Sequence, residues 1–308
     1  MNTTLVKVAA VQDAPHFLNL SKTVEKTCNL ISEAGKNGAK LIVFPEAFIA
    51  GYPDWVWVIP NGNSAALDDL YQELVENAVT IPDTTTHKLC QAAKDAGVYV
   101  AVGIHERNSE ASGFTLFNTL LYINDQGEII GKHRKLIPTG GERLIWGQGN
   151  GDTLSAFDTD FGTLGGLLCW ENYMPLARQA MYSVGTEVYV APTWDSSENW
   201  LLSMRHIARE GGMFVISVCQ AVRKDDIPDR YEFKKLYTGD SEWINSGNSC
   251  IINPRGEIIA GPSSNKQEIL YADLDLSLIA KSKRMFDVSG HYSRPDVFSY
   301  EINKSQES

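Results

Sequence analysis

Cationic side chains are outnumbered in this chain: 27 lysines and arginines stand against 38 aspartates and glutamates, a formal net charge of −11 over 308 residues. Nucleic-acid recognition needs clustered cations to neutralise phosphate, so this balance excludes that class of partner. It also excludes docking on an anionic lipid surface. Long apolar runs are missing as well. Those present, such as Tyr99–Ile104, fall far short of the roughly 20 residues a spanning helix needs. The opening MNTTLVKVAAVQDAP is broken by Lys7, Gln12 and Asp13, and it reads as a strand rather than an export signal. Cysteine is sparse and odd in number: Cys28, Cys90, Cys169, Cys219 and Cys250, widely spaced and without a CxxC pair. That argues against a disulfide framework or a zinc site and for a reducing, cytoplasmic compartment. No Pro/Gly/Ser-rich linker marks a seam between domains. Neither GxGxxG after the first strand nor GxxxxGK[ST] occurs, which leaves nucleotide chemistry without support.

Hydrophobic residues make up 43% of the chain, enough for a well-buried core. Strand-like and amphipathic helical segments alternate along it. Val24, Cys28, Ile31 and Ala34 set a helical period over Leu20–Lys36, with Gly35 and Gly38 as stop signals. Further helices are expected at Leu67–Ala78, Thr84–Ala96, Pro175–Ser183, Glu198–Glu210 and Leu276–Lys283. Strands are expected at Thr4–Gln12, Leu41–Phe44, Tyr99–Glu106, Thr115–Ile123, Glu128–His133, Ser155–Asp158, Thr163–Cys169, Glu187–Ala191, Met213–Cys219 and Ile269–Leu274. Ser249–Asn253 and Glu257–Ile259 read as a hairpin, as do the two strands about the turn Asn124–Gly127.

The two halves echo each other in order. AKLIVFPE (39–46) pairs with TEVYVAPT (186–193), YVAVGIHE (99–106) with FVISVCQA (214–221), and LYINDQGEIIGK (121–132) with CIINPRGEIIAG (250–261). Chance likeness of buried strands is one explanation; the other is one α/β domain over 1–308, built of two pseudo-symmetric layers with helices outside and a polar tail at 301–308.

Three chemically useful residues fall where strands end, the usual place for catalytic groups in α/β proteins. Glu46 follows LIVFP, Lys135 stands in HRKLIPT, and Cys169 stands in GGLLCWENYMP before a helix whose dipole would lower a thiol pKa. A thiolate nucleophile needs a base and a positive group to stabilise developing charge, roles open to Glu and Lys. The six histidines are scattered, so a papain-like Cys–His pair has little support.

The strings LIVFPEAFIAGYP, KHRKLIPTGGERLIWGQGNG, GLLCWENYMPLAR, HIAREGGMFVI and SGHYSRPDVF, in this order, resemble the nitrilase branch of the carbon–nitrogen hydrolase superfamily. The resemblance reaches from the first strand to about Phe298. It implies an αββα four-layer sandwich. It casts Cys169 as nucleophile, Glu46 as general base, Lys135 as catalytic lysine and Glu142 of GGER as a second glutamate supporting Lys135. No metal or organic cofactor is implied. Tyr52, Trp170 and Trp194 match pocket-lining aromatics, and Trp170 after the cysteine favours nitrile over amide. The segment 54–69 looks like an insertion, with exposed Trp55 and Trp57 lining the substrate's path or a subunit contact. Helices after the nucleophile, Pro175–Ser183 and Glu198–Glu210, imply a homodimer or higher homo-oligomer. The expected reaction takes an organic nitrile to acid and ammonia. A superfamily amidase, a nitrile or cyanide hydratase, a catalytically silent binding protein and a thiol redox sensor stay as alternatives. The residues leave the nitrile itself, arylacetonitrile or aliphatic, open.

Overall fold

Caps fix the long helices. The Asn19 side chain accepts from Lys22 N–H, Asp83 and Thr86 form a reciprocal capping box, and the Ser197 hydroxyl accepts from Trp200 N–H. Gly97 and Gly212 close two helices in the left-handed conformation. The computed structural model describes residues 5–304, so Thr4 of the first expected strand and residues 305–308 of the polar tail lie outside the described residues.

The first half runs β1 (Leu5–Gln12), α1 (Leu20–Lys36), β2 (Leu41–Val43), α2 (Trp55–Val58), α3 (Ser64–Glu76), α4 (Thr84–Ala96), β3 (Tyr99–Arg107), β4 (Leu116–Ile123) and β5 (Ile129–Arg134). The second runs β6 (Ala156–Thr159), β7 (Gly162–Gly166), α5 (Pro175–Ser183), β8 (Val188–Thr193), α6 (Glu198–Gly211), β9 (Phe214–Cys219), β10 (Ala221–Arg223), β11 (Trp243–Ile252), β12 (Ile258–Ser264), β13 (Glu268–Asp275) and α7 (Ser277–Lys283). One sheet has the order β13-β1-β2-β3-β4-β5; the other has β10-β11-β9-β8-β7-β6, with β12 beside β11.

The sequence echoes occupy equivalent places in the two sheets. β2 and β8 are the central parallel strands, β3 and β9 lie beside them, and the β4–β5 and β11–β12 hairpins follow antiparallel. Three apolar layers separate four structural ones. Val8, Ala10, Val43 and Ala101 of one sheet pack with Leu164, Val190, Ile216 and Val218 of the other. Alternate residues Ala9, Val11, Ile42 and Val100 face α1 and α4, while Tyr189, Ala191 and Val215 face α5 and α6. This is the αββα sandwich. β13, late in the chain, pairs antiparallel with β1 and so ties the last part of the second half into the first sheet.

Some expectations need correction. Gly35 does not stop α1; the helix runs to Lys36, and Gly35 lies where a Cβ would come within 2.9 Å of Ala96. The strand expected to run to Cys169 ends at Gly166. α2 and β10, both very short, had no expected counterpart, and β11 begins at Trp243 rather than at Ser249. Trp55 is buried, not exposed, because WVWV coils into a helical turn that turns Trp55 inward and leaves Trp57 47% exposed.

Candidate active site

Glu46 follows β2 and Pro45, Lys135 directly follows β5, and Cys169 opens a short 3-10 turn, Cys169–Tyr173, beyond β7. The two-sheet arrangement brings these three strand ends together. Gly103 of β3 makes the approach possible: a Cβ there would meet Pro45 O at 2.3 Å and Ala47 N at 2.5 Å. Glu142 enters from the 3-10 turn Gly140–Leu144, whose Thr139 N–H donates to its Oε2 at 2.6 Å.

Lys135 Nζ donates to Glu46 Oε1 at 2.8 Å and to Glu142 Oε2 at 2.7 Å, and all three side chains are buried. Acceptor atoms of Glu46, Glu142 and Cys169 all lie within 4.8 Å of one another, a donor set that could hold a metal ion. The ammonium of Lys135 already lies between the two carboxylates, so it is the cation that balances them. Burial alone would push Lys135 toward the neutral amine, but Glu46, Cys169 and Glu142 outweigh it and hold the ammonium well above the usual lysine range. Burial also raises Glu46, with Lys135 pulling the other way. One Glu46 oxygen, Oε2, is buried without a hydrogen-bond partner among the described residues.

Cys169 departs from expectation in one respect. Burial, reinforced by the Glu46 charge, pushes the Cys169 thiol up rather than down, with Lys135 opposing. The short turn behind it offers too little helix for its dipole to prevail. Cys169 thus rests as a thiol. Its φ of 48° is left-handed, a conformation that costs a non-glycine residue about 1–3 kcal/mol. Asn172 holds it there: Nδ2 donates to Leu167 O at 3.1 Å and Cys169 O at 2.8 Å, and Tyr189 donates to Asn172 Oδ1 at 2.6 Å. Thr193 Oγ1 lies 3.3 Å from Cys169 Sγ.

The expected pocket aromatics separate. Tyr52 stacks on Trp194, centroids 4.5 Å apart and planes within 5°. Its hydroxyl donates to Glu142 Oε1 at 2.6 Å, so it buttresses the Glu46–Lys135–Glu142 cluster itself. Trp194 Nε1 donates to Asp54 at 2.9 Å, as does the Tyr237 hydroxyl at 2.7 Å. Trp170 is 49% exposed and turns outward, donating to Asp195 at 2.9 Å. Behind Tyr52 and Trp194 lies a cavity of about 20 Å³, room for one water, also lined by Phe17, Gly51, Asp54 and Gln220; Cys169 is not among its lining residues.

Several site residues escaped the sequence reading. Asn118 of β4 donates to Glu46 Oε1 at 2.7 Å, and its carbonyl accepts from Lys135 N–H at 2.8 Å. Gln220 Nε2 donates to the Glu46 carbonyl at 2.8 Å. His105 is buried, accepts from Trp146 Nε1 at 3.0 Å and donates to Gly51 O at 2.8 Å; burial drives its pKa down to about 4, so the ring is neutral. The available signal was a polar residue inside an otherwise apolar strand, as Asn118 is in LFNTLLYI.

The family model of the carbon–nitrogen hydrolases matches residues 7–284. The chain is 43% identical to an aliphatic nitrilase of Sinorhizobium fredii (strain HH103), over 99% of this chain and 98% of that one. It is 42% identical to the bifunctional nitrilase/nitrile hydratase NIT4A of Lupinus angustifolius, over 97% of this chain and 86% of that one. In fold it is similar to Saccharomyces cerevisiae Nit3, a member of branch 10 of the nitrilase superfamily, with a TM-score of 0.71, 21% identity and coverage of 94% and 97%. With the family's sequence pattern spanning almost the whole length and a Glu–Lys–Cys cluster at its centre, this chain belongs to the carbon–nitrogen hydrolase family.

Proposed function

We propose that this protein is a nitrilase, converting an organic nitrile and two waters to a carboxylic acid and ammonia. The observation that carries the reading is the buried cluster in which Lys135 bridges two glutamates beside the Cys169 thiol. The sequence likeness to nitrilases directs the choice of substrate.

The resting thiol needs a base, and Glu46 has a free carboxylate oxygen together with an affinity for protons raised by burial. Glu46 takes the thiol proton as sulfur attacks the nitrile carbon. That proton passes to nitrogen, giving a covalent thioimidate. Lys135, with the Trp170 N–H as proposed second donor, stabilises the negative charge on nitrogen. Water adds to give a tetrahedral carbon bearing sulfur, hydroxyl and amino groups. Ammonia leaves, a thioester remains, and a second water releases the acid and restores the thiol.

Glu46, Lys135, Cys169 and Glu142 carry these steps in this reading; Tyr52, Trp170 and Trp194 shape the approach of substrate. The protein is proposed to work in the cytoplasm, as one domain per chain, and as a homodimer joined through α5 and α6.

A panel of nitriles and the matching amides, read by ammonia release and product mass, tests the reading. Acid and ammonia from nitriles are expected, and Cys169→Ala is expected to lower the rate by at least about a thousandfold. Faster release from amides would make the enzyme an amidase, and undiminished release by Cys169→Ala would refute the cysteine mechanism.

A further inference from the structure

His133 and Glu171 form a buried pair that the reaction scheme leaves unused. Both side chains are almost fully buried, and His133 Nε2 lies 3.1 and 3.0 Å from the two Glu171 carboxylate oxygens. Glu171 also accepts two backbone N–H groups from different parts of the chain. Leu136 N–H donates to Oε1 at 2.5 Å, and Leu168 N–H donates to Oε2 at 2.8 Å. Leu136 follows Lys135, and Leu168 precedes Cys169. One carboxylate therefore ties the segment carrying the ammonium to the segment carrying the nucleophile, each one residue from the group that reacts. His133 is anchored in turn through Nδ1, 3.1 Å from the Thr153 hydroxyl.

We infer that Glu171 is a positioning residue that sets how the tetrahedral intermediate divides between acid and amide. This deepens the nitrilase reading and rests on it. That intermediate, bearing hydroxyl, amino group and Cys169 sulfur, has two exits. In one, the C–N bond breaks with its electron pair on nitrogen. Nitrogen gains a proton from the Lys135–Glu142 side, the hydroxyl gives its proton back to that side, and ammonia and a thioester result. In the other, the C–S bond breaks with its pair on sulfur. The hydroxyl proton returns to sulfur through Glu46, and an amide departs with the thiol restored. Only the first exit depends on the Lys135–Glu142 side reaching the nitrogen of a carbon held by Cys169. The distance between these two segments is what Glu171 spans. A relative with 42% identity is named for both outcomes, nitrilase and nitrile hydratase.

Glu171→Gln is nearly isosteric but has one acceptor oxygen. Its amide NH2 must face either Leu136 N–H or Leu168 N–H, so one segment loses its tether. With a nitrile that the wild type converts, amide and acid are quantified by mass in the full-length protein, with kcat and KM measured in parallel. The amide-to-acid ratio is expected to rise about tenfold and kcat to fall about tenfold, with KM changed less than about twofold. Both products leave one intermediate, so the ratio is independent of how much protein is folded. A purely structural role for Glu171 lowers total activity and leaves the ratio alone.

An unchanged ratio in folded Glu171→Gln overturns the inference. If that variant does not fold, His133→Gln decides. Its amide donates to one carboxylate oxygen at a time, where the His133 ring faces both, so a rise of about threefold is expected. An unchanged ratio there is equally fatal. Failure of the wild type to make acid from any nitrile would instead reject the nitrilase reading.

Discussion

At the scale of single residues, the proposed base Glu46 depends on a neutral amide. Burial pushes Glu46 toward its protonated form, and Asn118 is one of the groups that hold it down. Asn118→Ala removes that donor, so the Glu46 pKa rises further. The base form then appears only at higher pH, and the acidic limb of the kcat/KM profile moves upward. Loss of one charge-assisted hydrogen bond costs about 1.5–3 kcal/mol, so kcat at neutral pH is expected to fall about ten- to a hundredfold. A pH–rate profile of wild type and variant checks the sign; an acidic limb that stays or moves down counts against this role. Glu46, Lys135, Glu142 and Cys169 were picked out because they stand in three sequence strings, Lys135 and Glu142 sharing one. Asn118, Gln220 and Thr193 were not, because their importance lies in contacts up to 174 positions away in sequence. Tyr52 was picked out as a pocket wall, yet only coordinates show its hydroxyl on Glu142.

At the scale of elements, ends and close approaches decide the site. Helices with a clear start signal were readable: α1 and α4, with side-chain caps, and α5, with Pro175 in its first turn, have the expected bounds. α2 and β10, of four and three residues, carry too little periodicity to be seen, whereas β2 and β6, equally short, were expected from the turn signals that bound them. Trp55 and Trp57 were expected to be exposed together on the 54–69 insertion, and the helical turn of α2 instead points them apart. The end of β2 must lie flat on β3 for Glu46 to meet Lys135, and Gly103 is the residue that permits it. Gly103→Ala would place a methyl group against backbone atoms of Pro45, Glu46 and Ala47, none of which is a flexible side-chain tip. Such overpacking costs about 1–3 kcal/mol, and here the displaced segment carries the proposed base Glu46. Thermal unfolding should show the loss in stability, and kcat should fall at least about tenfold with the thiol still present. A stable and fully active variant would show that the Glu46 segment tolerates displacement.

At the scale of the molecule, the repeated strand strings were legible as two matching halves, while the return of β13 to β1 was not, since strand pairing across the chain leaves no local mark. The four-layer arrangement leaves α5 and α6 outside the second sheet, with Leu176 69% and Leu202 54% exposed and Tyr173, just before α5, 38% exposed. The strap after α7 touches the same region, where Tyr300 donates to the Leu176 carbonyl at 2.9 Å. α5 follows directly on the turn of Cys169, so a second copy seated here would bear on the segment that holds the nucleophile. Apolar side chains clustered on adjoining surface elements favour association over exposure to water. Leu176→Glu combined with Leu202→Glu places like charges on both sides of a two-fold contact, the arrangement most costly to a symmetric pair. Sedimentation velocity should then show a species of half the wild-type mass, with kcat reduced because the Cys169 turn loses its outer support. An unchanged sedimentation coefficient would move the subunit contact elsewhere on the molecule, and a monomeric variant of full activity would separate assembly from catalysis.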